Sequence, residues 1–164
     1  TYGTGVGGAI VLDGRIYTGS SWSAGSFGGI VIHPEAVDLA VEYSGCYEKY
    51  ASTTGLVKRA LAVDPGLTSG RAIFAAFDRP EVHRVIDEWI DEIVTGLVTL
   101  IHIFNPSRIV LGGGIMVQPY VLEQVQERLI PRLSPGFRKV NIARASLGNQ
   151  AGLLGAAHLA EEML

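Results

Sequence analysis

The chain has 164 residues, 48% of them hydrophobic, which is long enough for one domain with a substantial core. Its 13 Lys and Arg residues and 16 Asp and Glu residues give a net charge of −3, and no run of basic residues occurs. This balance argues against nucleic acid or an anionic membrane as the main partner of the chain.

The first part of the chain predicts a β-hairpin and two short helices. Asp13-Gly14 lies between the apolar run 6–11 and the segment 15–17, and this dipeptide is typical of a two-residue hairpin turn. Residues 34–43 fit either a loop or a short helix. Candidate helix N-caps precede two apolar stretches, namely Ser52 or Thr53 for the first helix and Thr68 or Ser69 for the second.

The second part predicts a long helix and then a β-α-β-α order. Apolar residues recur at three- and four-residue spacing over 82–104, and Asn105-Pro106 ends this pattern. The runs 108–111 and 139–143 are typical of short strands, with one helix between them and a final helix over about 146–164. This order predicts an α/β fold in which helices cover a sheet. Carboxylates of the long helix are expected on a solvated face: Asp87, Glu88, Asp91 and Glu92.

Glycine is abundant, with 21 residues against an average share of roughly 7%. Three clusters, at 3–8, 112–114 and 148–152, lie at predicted strand ends or helix starts. Glycine allows positive φ angles and lets backbone N–H groups approach an oxyanion, and Thr4 adds a hydroxyl donor. Together the clusters indicate a nucleotide site. A plain turn is the alternative for the first cluster, and helix capping for the third.

The rest of the sequence excludes several kinds of site. Cys46 is the only cysteine, so an intrachain disulfide and a site built from several cysteines are impossible. The longest nearly apolar stretch, 96–104, is too short to span a bilayer, and no targeting segment is recognisable. A cytoplasmic location is therefore expected. The four histidines lack the spacing of metal ligands.

Several motifs occur in the order in which one known family carries them. They are Gly3-Thr4-Gly5-Val6-Gly7-Gly8, Leu12-Asp13-Gly14-Arg15, Ser23-Ala24-Gly25-Ser26-Phe27-Gly28, Gly45-Cys46-Tyr47-Glu48, Tyr50-Ala51-Ser52, Asn105-Pro106, Ile109-Val110-Leu111-Gly112-Gly113-Gly114 and Ser146-Leu147-Gly148-Asn149-Gln150-Ala151-Gly152-Leu153-Leu154-Gly155-Ala156. In these motifs and their spacing the chain resembles the ROK family of repressors, uncharacterised open reading frames and sugar kinases. The resemblance covers nearly the whole chain.

The resemblance implies an α/β, actin-like (ribonuclease H-like) ATPase fold, with residues 1–164 as the C-terminal lobe of a two-lobed sugar kinase. The start at Thr1, without Met, also suggests a piece of a longer polypeptide. The N-terminal lobe would carry the catalytic aspartate, so no catalytic residue is assigned to this chain. The final helix would return to that lobe, and without it an apolar patch of the helix would be exposed; this patch is expected to be covered by another copy of the chain or to be mobile. The patch comprises Leu153, Leu154, Leu159 and Met163.

The resemblance also implies the ligands of the intact protein and the residues that hold them. ATP with Mg²⁺ is assigned to the first two glycine clusters, that is to Gly3, Thr4, Gly5, Gly7, Gly8, Gly112, Gly113 and Gly114. The sugar is assigned to Glu48 and Ser26. Glu48 matches the family's glutamate after Gly-Cys, and a carboxylate accepts charge-assisted hydrogen bonds from sugar hydroxyls. A solvated position near a helix start is the alternative for Glu48, and a plain loop position for Ser26.

The sugar side departs from the family pattern at two positions. Ser26 stands where family kinases carry Glu, and Gly29 stands where they carry His. The family's zinc site uses that His and three cysteines, and only Cys46 remains, so neither zinc nor another metal site is predicted. Trp22 and Trp89 are expected to be packing anchors, less clearly so for Trp22 because its loop would face the cleft.

The resemblance therefore predicts that the intact protein is an ATP-dependent kinase of a hexose-type sugar and that this chain alone is inactive. A sugar-sensing ROK-family transcriptional repressor whose DNA-binding segment is missing is the alternative, and a catalytically inactive relative is a third possibility. The intact protein would bind sugar and ATP as a homo-oligomer. Neither a membrane nor a nucleic acid is an expected partner of the chain itself.

Overall fold

The computed structural model describes residues 1–162 as a set of short strands and longer helices. The strands are β1 (Ile10–Leu12), β2 (Arg15–Tyr17), β3 (Arg108–Leu111) and β4 (Asn141–Arg144). The helices are α1 (Tyr47–Ala51), α2 (Thr53–Leu61), α3 (Gly70–Ala75), α4 (Pro80–Phe104), α5 (Pro119–Arg132) and α6 (Ala151–Glu162). Short 3-10 turns occur at 27–29, 34–36, 114–117, 135–137 and 148–150. The predicted mixture of helices and strands is thus confirmed.

The strands form two separate pairs. β1 and β2 are antiparallel with Val11 opposite Ile16, and the turn residues Asp13 and Gly14 have φ angles of 51° and 77°. These positive φ angles are those of the predicted hairpin turn. β3 and β4 are parallel, and α5 provides the crossover between them. The region 34–43, which fitted a loop or a helix, contains only the 3-10 turn at 34–36.

Helix α4 lies at the centre of the core, and the predicted apolar face of this helix is confirmed. Trp89 is fully buried and its indole N–H donates to the carbonyls of Ala51 and Ser52, at 2.9 and 3.0 Å. Gly96 allows the Tyr47 ring to pack directly on α4, because a Cβ there would lie 2.2 Å from the ring. Asn105 adopts φ 42° and ends the helix where the sequence predicted.

The carboxylates of α4 are ion-paired, so the prediction of a simply solvated face is wrong for most of them. Glu92 is bound by Arg59 of α2 and by His33, at 2.5 and 2.8 Å. Asp87 is bound by Arg128 of α5 at 2.6 Å. The carboxylates of α4 thus face neighbouring elements that supply cationic side chains, and only the structure shows which elements pack against this face of the helix.

Helix α6 projects from this core. Its described side chains from Ala151 to Glu161 are all exposed, including Leu153, Leu154 and Leu159. The predicted exposure of these leucines is confirmed, whereas Met163 lies outside the described residues. Within residues 1–162, none of the helices combines the length and the hydropathy required to cross a bilayer.

Candidate functional site

The larger of two neighbouring cavities has a volume of about 820 Å³ and is lined by the first glycine turn, the helix starts of α2 and α3, and the turn at 114–117. Threonine, serine and glycine make up half of the residues that line it: Gly3, Thr4, Thr53, Thr54, Thr68, Ser69, Gly70 and Gly114. Arg71 adds a positive charge. Hydroxyls, backbone amides and a cation are the groups that proteins use to hold phosphate oxygens.

The glycine turn at this cavity is held in place from two sides. The N–H of Tyr2 donates to the carbonyl of Gly112 at 2.8 Å, which joins the turn to the end of β3. At the start of α2, the N–H of Thr53 donates to the carbonyl of Gly3 at 2.8 Å, and the Thr54 hydroxyl donates to the carbonyl of Thr4 at 2.7 Å. These bonds use the carbonyl groups of the turn. Among the described residues, none accepts a hydrogen bond from the N–H of Thr4.

The three glycines after β3 have three different surroundings. Gly112 is buried, and its carbonyl accepts the bond from Tyr2. Gly113 has φ 114°, and a Cβ there would lie 2.1 Å from the Tyr2 carbonyl oxygen. Gly114 faces open space and lines the larger cavity. The structure therefore brings Gly114 to the cavity, whereas Gly112 and Gly113 let the chain pack against the first glycine turn.

The smaller cavity has a volume of about 350 Å³ and contains the predicted sugar-side residues Glu48 and Ser26. Glu48 lies in the first turn of α1, and its Oε2 accepts a hydrogen bond from the N–H of Val6 at 2.9 Å. Gly5 makes this contact possible, because a Cβ at that position would lie 2.1 Å from the same carboxylate oxygen. The cavity is also lined by Gly7, Gly8, Gly28, Gly29, Trp22 and Tyr43.

The first glycine turn separates the two cavities. Gly3 and Thr4 line the larger cavity, whereas Val6, Gly7 and Gly8 line the smaller one. Gly5 lies between them, against Glu48. The predicted nucleotide residues Gly7 and Gly8 are thus placed on the Glu48 side of the turn.

The structure also shows the surroundings of Ser26 and Trp22. Ser26 donates its hydroxyl to the carbonyl of Ser23 at 2.8 Å, within its own loop. Trp22 is 85% exposed, so the prediction that it is a packing anchor is wrong, whereas Trp89 is such an anchor. Trp22 stands in the loop that the resemblance places towards the cleft, and it lines the smaller cavity.

The described residues do not fit the family's zinc site. In residues 1–162, His, Cys, Asp and Glu side chains form no cluster of three or more that could hold a metal ion. Gly29 and Cys46 stand at two of the family's ligand positions, and a single half-buried thiol cannot complete a four-ligand zinc shell. The absence of zinc stays a prediction.

Part of the larger cavity, at the starts of α2 and α3, was not predicted from the sequence. Thr53, Thr68 and Ser69 are candidate N-caps in the sequence, yet together with Thr54 and Arg71 they line the cavity beside the glycine turn. Their signal was the density of hydroxyl residues at two successive helix starts. Such residues are usual N-caps, as Ser52 and Ser69 are here, so that signal alone did not indicate a site.

Comparison with known proteins relates this geometry to a family. The model of the ROK family matches residues 1–163. The chain is 36% identical over 165 residues to the β-glucoside kinase of Listeria innocua, which covers 96% of this chain and 54% of that protein. The chain spans about half the length of the curated relatives that it matches.

Solved structures show the same fold. The ROK hexokinase of Thermus thermophilus superposes with a TM-score of 0.86 at 29% identity, over 100% of this chain and 57% of that one. The Streptomyces griseus glucokinase, solved with glucose and AMPPNP, superposes with a TM-score of 0.81 at 28% identity, over 96% of this chain and 58% of that one. A ROK family transcriptional regulator, homologous to the MLC protein of E. coli, superposes with a TM-score of 0.79 at 25% identity, over 95% of this chain and 43% of that one. The fold is that of the actin-like ROK kinases, and the chain belongs to the ROK family.

Proposed function

We propose that the protein containing this chain is an ATP-dependent kinase that transfers the γ-phosphate to a hydroxyl of a hexose-type sugar. The main support for this proposal is the position of the glycine turn between two cavities that are lined by different chemical groups. On one side lie hydroxyls, glycines and Arg71, which suit phosphates. On the other side lies the carboxylate of Glu48, which suits a hydroxyl-rich ligand.

In this proposal the larger cavity holds ATP and the smaller cavity holds the sugar. The N–H and hydroxyl of Thr4 would hold phosphate oxygens, and Gly114 would leave room for the rest of the nucleotide. The described lining residues include no carboxylate, so they do not form a resident Mg²⁺ site, and the ion would arrive on the ATP phosphates. The chain's contribution to catalysis is positioning.

On the sugar side, Glu48 would accept hydrogen bonds from two sugar hydroxyls. Its Oε2 is already fixed by the N–H of Val6, so the carboxylate is oriented before the sugar binds. Among the described lining residues of the smaller cavity, Glu48 is the one charged group, which disfavours an anionic ligand and suits a donor of hydroxyl hydrogen bonds. The aspartate that removes the hydroxyl proton is expected in another part of the protein, so this chain alone should not phosphorylate a sugar.

The test is an assay of ADP release by the full-length protein with Mg·ATP and a panel of hexoses, N-acetylhexosamines and β-glucosides. The β-glucosides belong in the panel because the Listeria innocua relative is a β-glucoside kinase. We expect turnover on at least one sugar and its loss in the Glu48→Ala variant. Folded protein that turns over none of these sugars would contradict the kinase proposal.

A second candidate function is a sugar-sensing transcriptional regulator. The specific support is the ROK family transcriptional regulator that shares this fold at a TM-score of 0.79. A regulator would bind the sugar at the same Glu48 cavity without turnover. Sugar binding without ADP release, together with sugar-dependent DNA binding by the full-length protein, would favour this candidate over the kinase.

A further inference from the structure

Two aromatic residues at the smaller cavity have an unusual backbone conformation. Trp22 and Tyr43 have φ angles of 60° and 58°, in the left-handed region that bulky side chains rarely adopt. Trp22 is largely in solvent, with an exposure of 85%, whereas Tyr43 is 44% exposed. The Trp22 ring gains little burial that could offset its backbone strain, and such strain is commonly found where a residue has a binding role.

The two rings line the same cavity as Glu48, and Trp22 comes from a separate loop, 26 positions before it in sequence. The rest of the lining is unusually small, with glycine at 25, 28 and 29 and serine at 23 and 26. A Cβ at Gly29 would already lie 3.8 Å from the Tyr43 ring, so the ring covers the space beside that glycine. The cavity therefore combines one carboxylate, a lining of mostly small residues and two aromatic rings.

This combination suits a ligand with a polar part and an apolar part. Binding cavities hold ligands through apolar and aromatic walls, with a few polar groups that fix orientation. Glu48 supplies the polar group, whereas Trp22 offers a flat apolar surface that solvent now covers. A free hexose has hydroxyls for Glu48 but carries no apolar substituent for the Trp22 ring.

We propose that Trp22, with Tyr43, binds an apolar or aromatic substituent of the sugar, so that the preferred substrate class is a glycoside rather than a free hexose. This inference rests on the proposed function, since it takes the Glu48 cavity as the sugar site. Trp22 is then a specificity-determining residue. It has no part in the transfer of the phosphate.

The test compares two ligands that differ only in the substituent on the anomeric oxygen: phenyl β-D-glucopyranoside and methyl β-D-glucopyranoside. Their dissociation constants are measured by calorimetry on the full-length protein, so the result does not depend on turnover. We expect the phenyl glycoside to bind roughly 3- to 10-fold more tightly, which is the range for an aromatic pair. Trp22→Ala should abolish this preference, and Trp22→Phe should keep most of it.

Leu39→Ala is the matched control, because Leu39 is 98% exposed but does not line the cavity. This variant should bind both glycosides as the wild type does. The proposal is overturned if neither glycoside binds, if both bind equally, or if Trp22→Ala keeps the preference. It is also overturned if Trp22→Ala changes the oligomeric state and not the preference, since Trp22 would then contact another copy of the chain.

ADP release is measured on the same samples and tests the kinase proposal separately. A ring preference that depends on Trp22, without ADP release, would support the glycoside site and contradict the kinase. ADP release on glucose, without a preference for the phenyl glycoside, would support the kinase and contradict the role of Trp22.

Discussion

The Glu48 carboxylate accepts a hydrogen bond from the backbone N–H of Val6 at 2.9 Å, across 42 positions of sequence. Val6 belongs to the same glycine turn whose other end, at Gly3 and Thr4, lines the larger cavity. The proposed sugar ligand and the proposed phosphate turn are therefore parts of one hydrogen-bonded unit. Any displacement of α1 would move both sides of the site together.

Glu48→Gln should affect the sugar and leave the nucleotide unaffected. The amide oxygen of Gln can still accept the hydrogen bond from Val6, so the turn is retained while the charge is lost. We expect kcat/KM for the sugar to fall roughly 10- to 100-fold, which corresponds to a hydrogen bond to a charged group. The KM for ATP should stay within about twofold of its wild-type value on this basis. An equal rise in both KM values would show that Glu48 acts on the turn and not on the sugar.

Two neighbouring glycines should respond differently to the addition of a methyl group. Gly113→Ala places a Cβ 2.1 Å from the Tyr2 carbonyl oxygen at a φ of 114°, and should lower the free energy of unfolding by at least about 2 kcal/mol. Gly114→Ala meets no atom within 4 Å, and should change that free energy by less than about 0.5 kcal/mol. Urea denaturation of both variants checks this. Equal losses would mean that the turn does not pack on β3.

Gly114→Ala should nevertheless weaken nucleotide binding, because Gly114 lines the larger cavity. Calorimetry with AMPPNP on the full-length protein measures this effect. Unchanged affinity would remove Gly114 from the proposed nucleotide site.

His33 should make part of the stability depend on pH. Burial alone lowers the pKa of His33, but its hydrogen bonds to Glu92 and Glu35 outweigh burial, and the net pKa is raised above 6.5. The protonated form is thus favoured in the folded state. Its stabilising contribution should be fully present below pH 6.5 and be lost as the pH rises through the folded-state pKa.

Unfolding free energies of the wild type and of His33→Gln, measured from pH 5.5 to pH 9, check this dependence. Their difference should shrink as the pH rises. Glu92→Gln is the matched control, since removal of the partner carboxylate should also flatten the dependence. A difference that grows with pH would contradict the ion pair.

Two buried tyrosines should differ in their contribution to stability. Tyr47 donates its hydroxyl to the carbonyl of Ile93 at 2.7 Å, so the hydroxyl of Tyr2, 2.7 Å away, must donate to Tyr47. Tyr47→Phe leaves the Tyr2 hydroxyl without its acceptor and should cost about 1–3 kcal/mol. Tyr2→Phe leaves the bond from Tyr47 to Ile93 intact and should cost about 1 kcal/mol.

Thermal or urea unfolding ranks these two variants, and a larger loss for Tyr2→Phe would reverse the donor order. Burial raises the pKa of both phenols above the usual value of 10. Absorbance titration should therefore show that both stay protonated at pH 10 in the folded protein.

The sequence by itself determined the features whose causes are local. Asp13-Gly14 predicted the hairpin because its turn needs two positive φ angles, and Ser52 and Ser69 cap α2 and α3 as expected. Asn105 ends α4, and the bounds of β3 agree with the apolar run. Each of these depends on neighbours within a few residues, which a sequence pattern records directly.

Only the tertiary structure decided which groups share a cavity. The family resemblance implies that Gly7 and Gly8 hold the nucleotide, and the structure adds that they line the smaller cavity with Glu48, whereas Thr4 lines the larger one. The prediction that Trp22 is a packing anchor was wrong for the same reason, because its side chain is exposed to solvent and lines the smaller cavity. Contacts between segments more than forty positions apart depend on how helices and loops pack in three dimensions, and no periodicity along the chain records them.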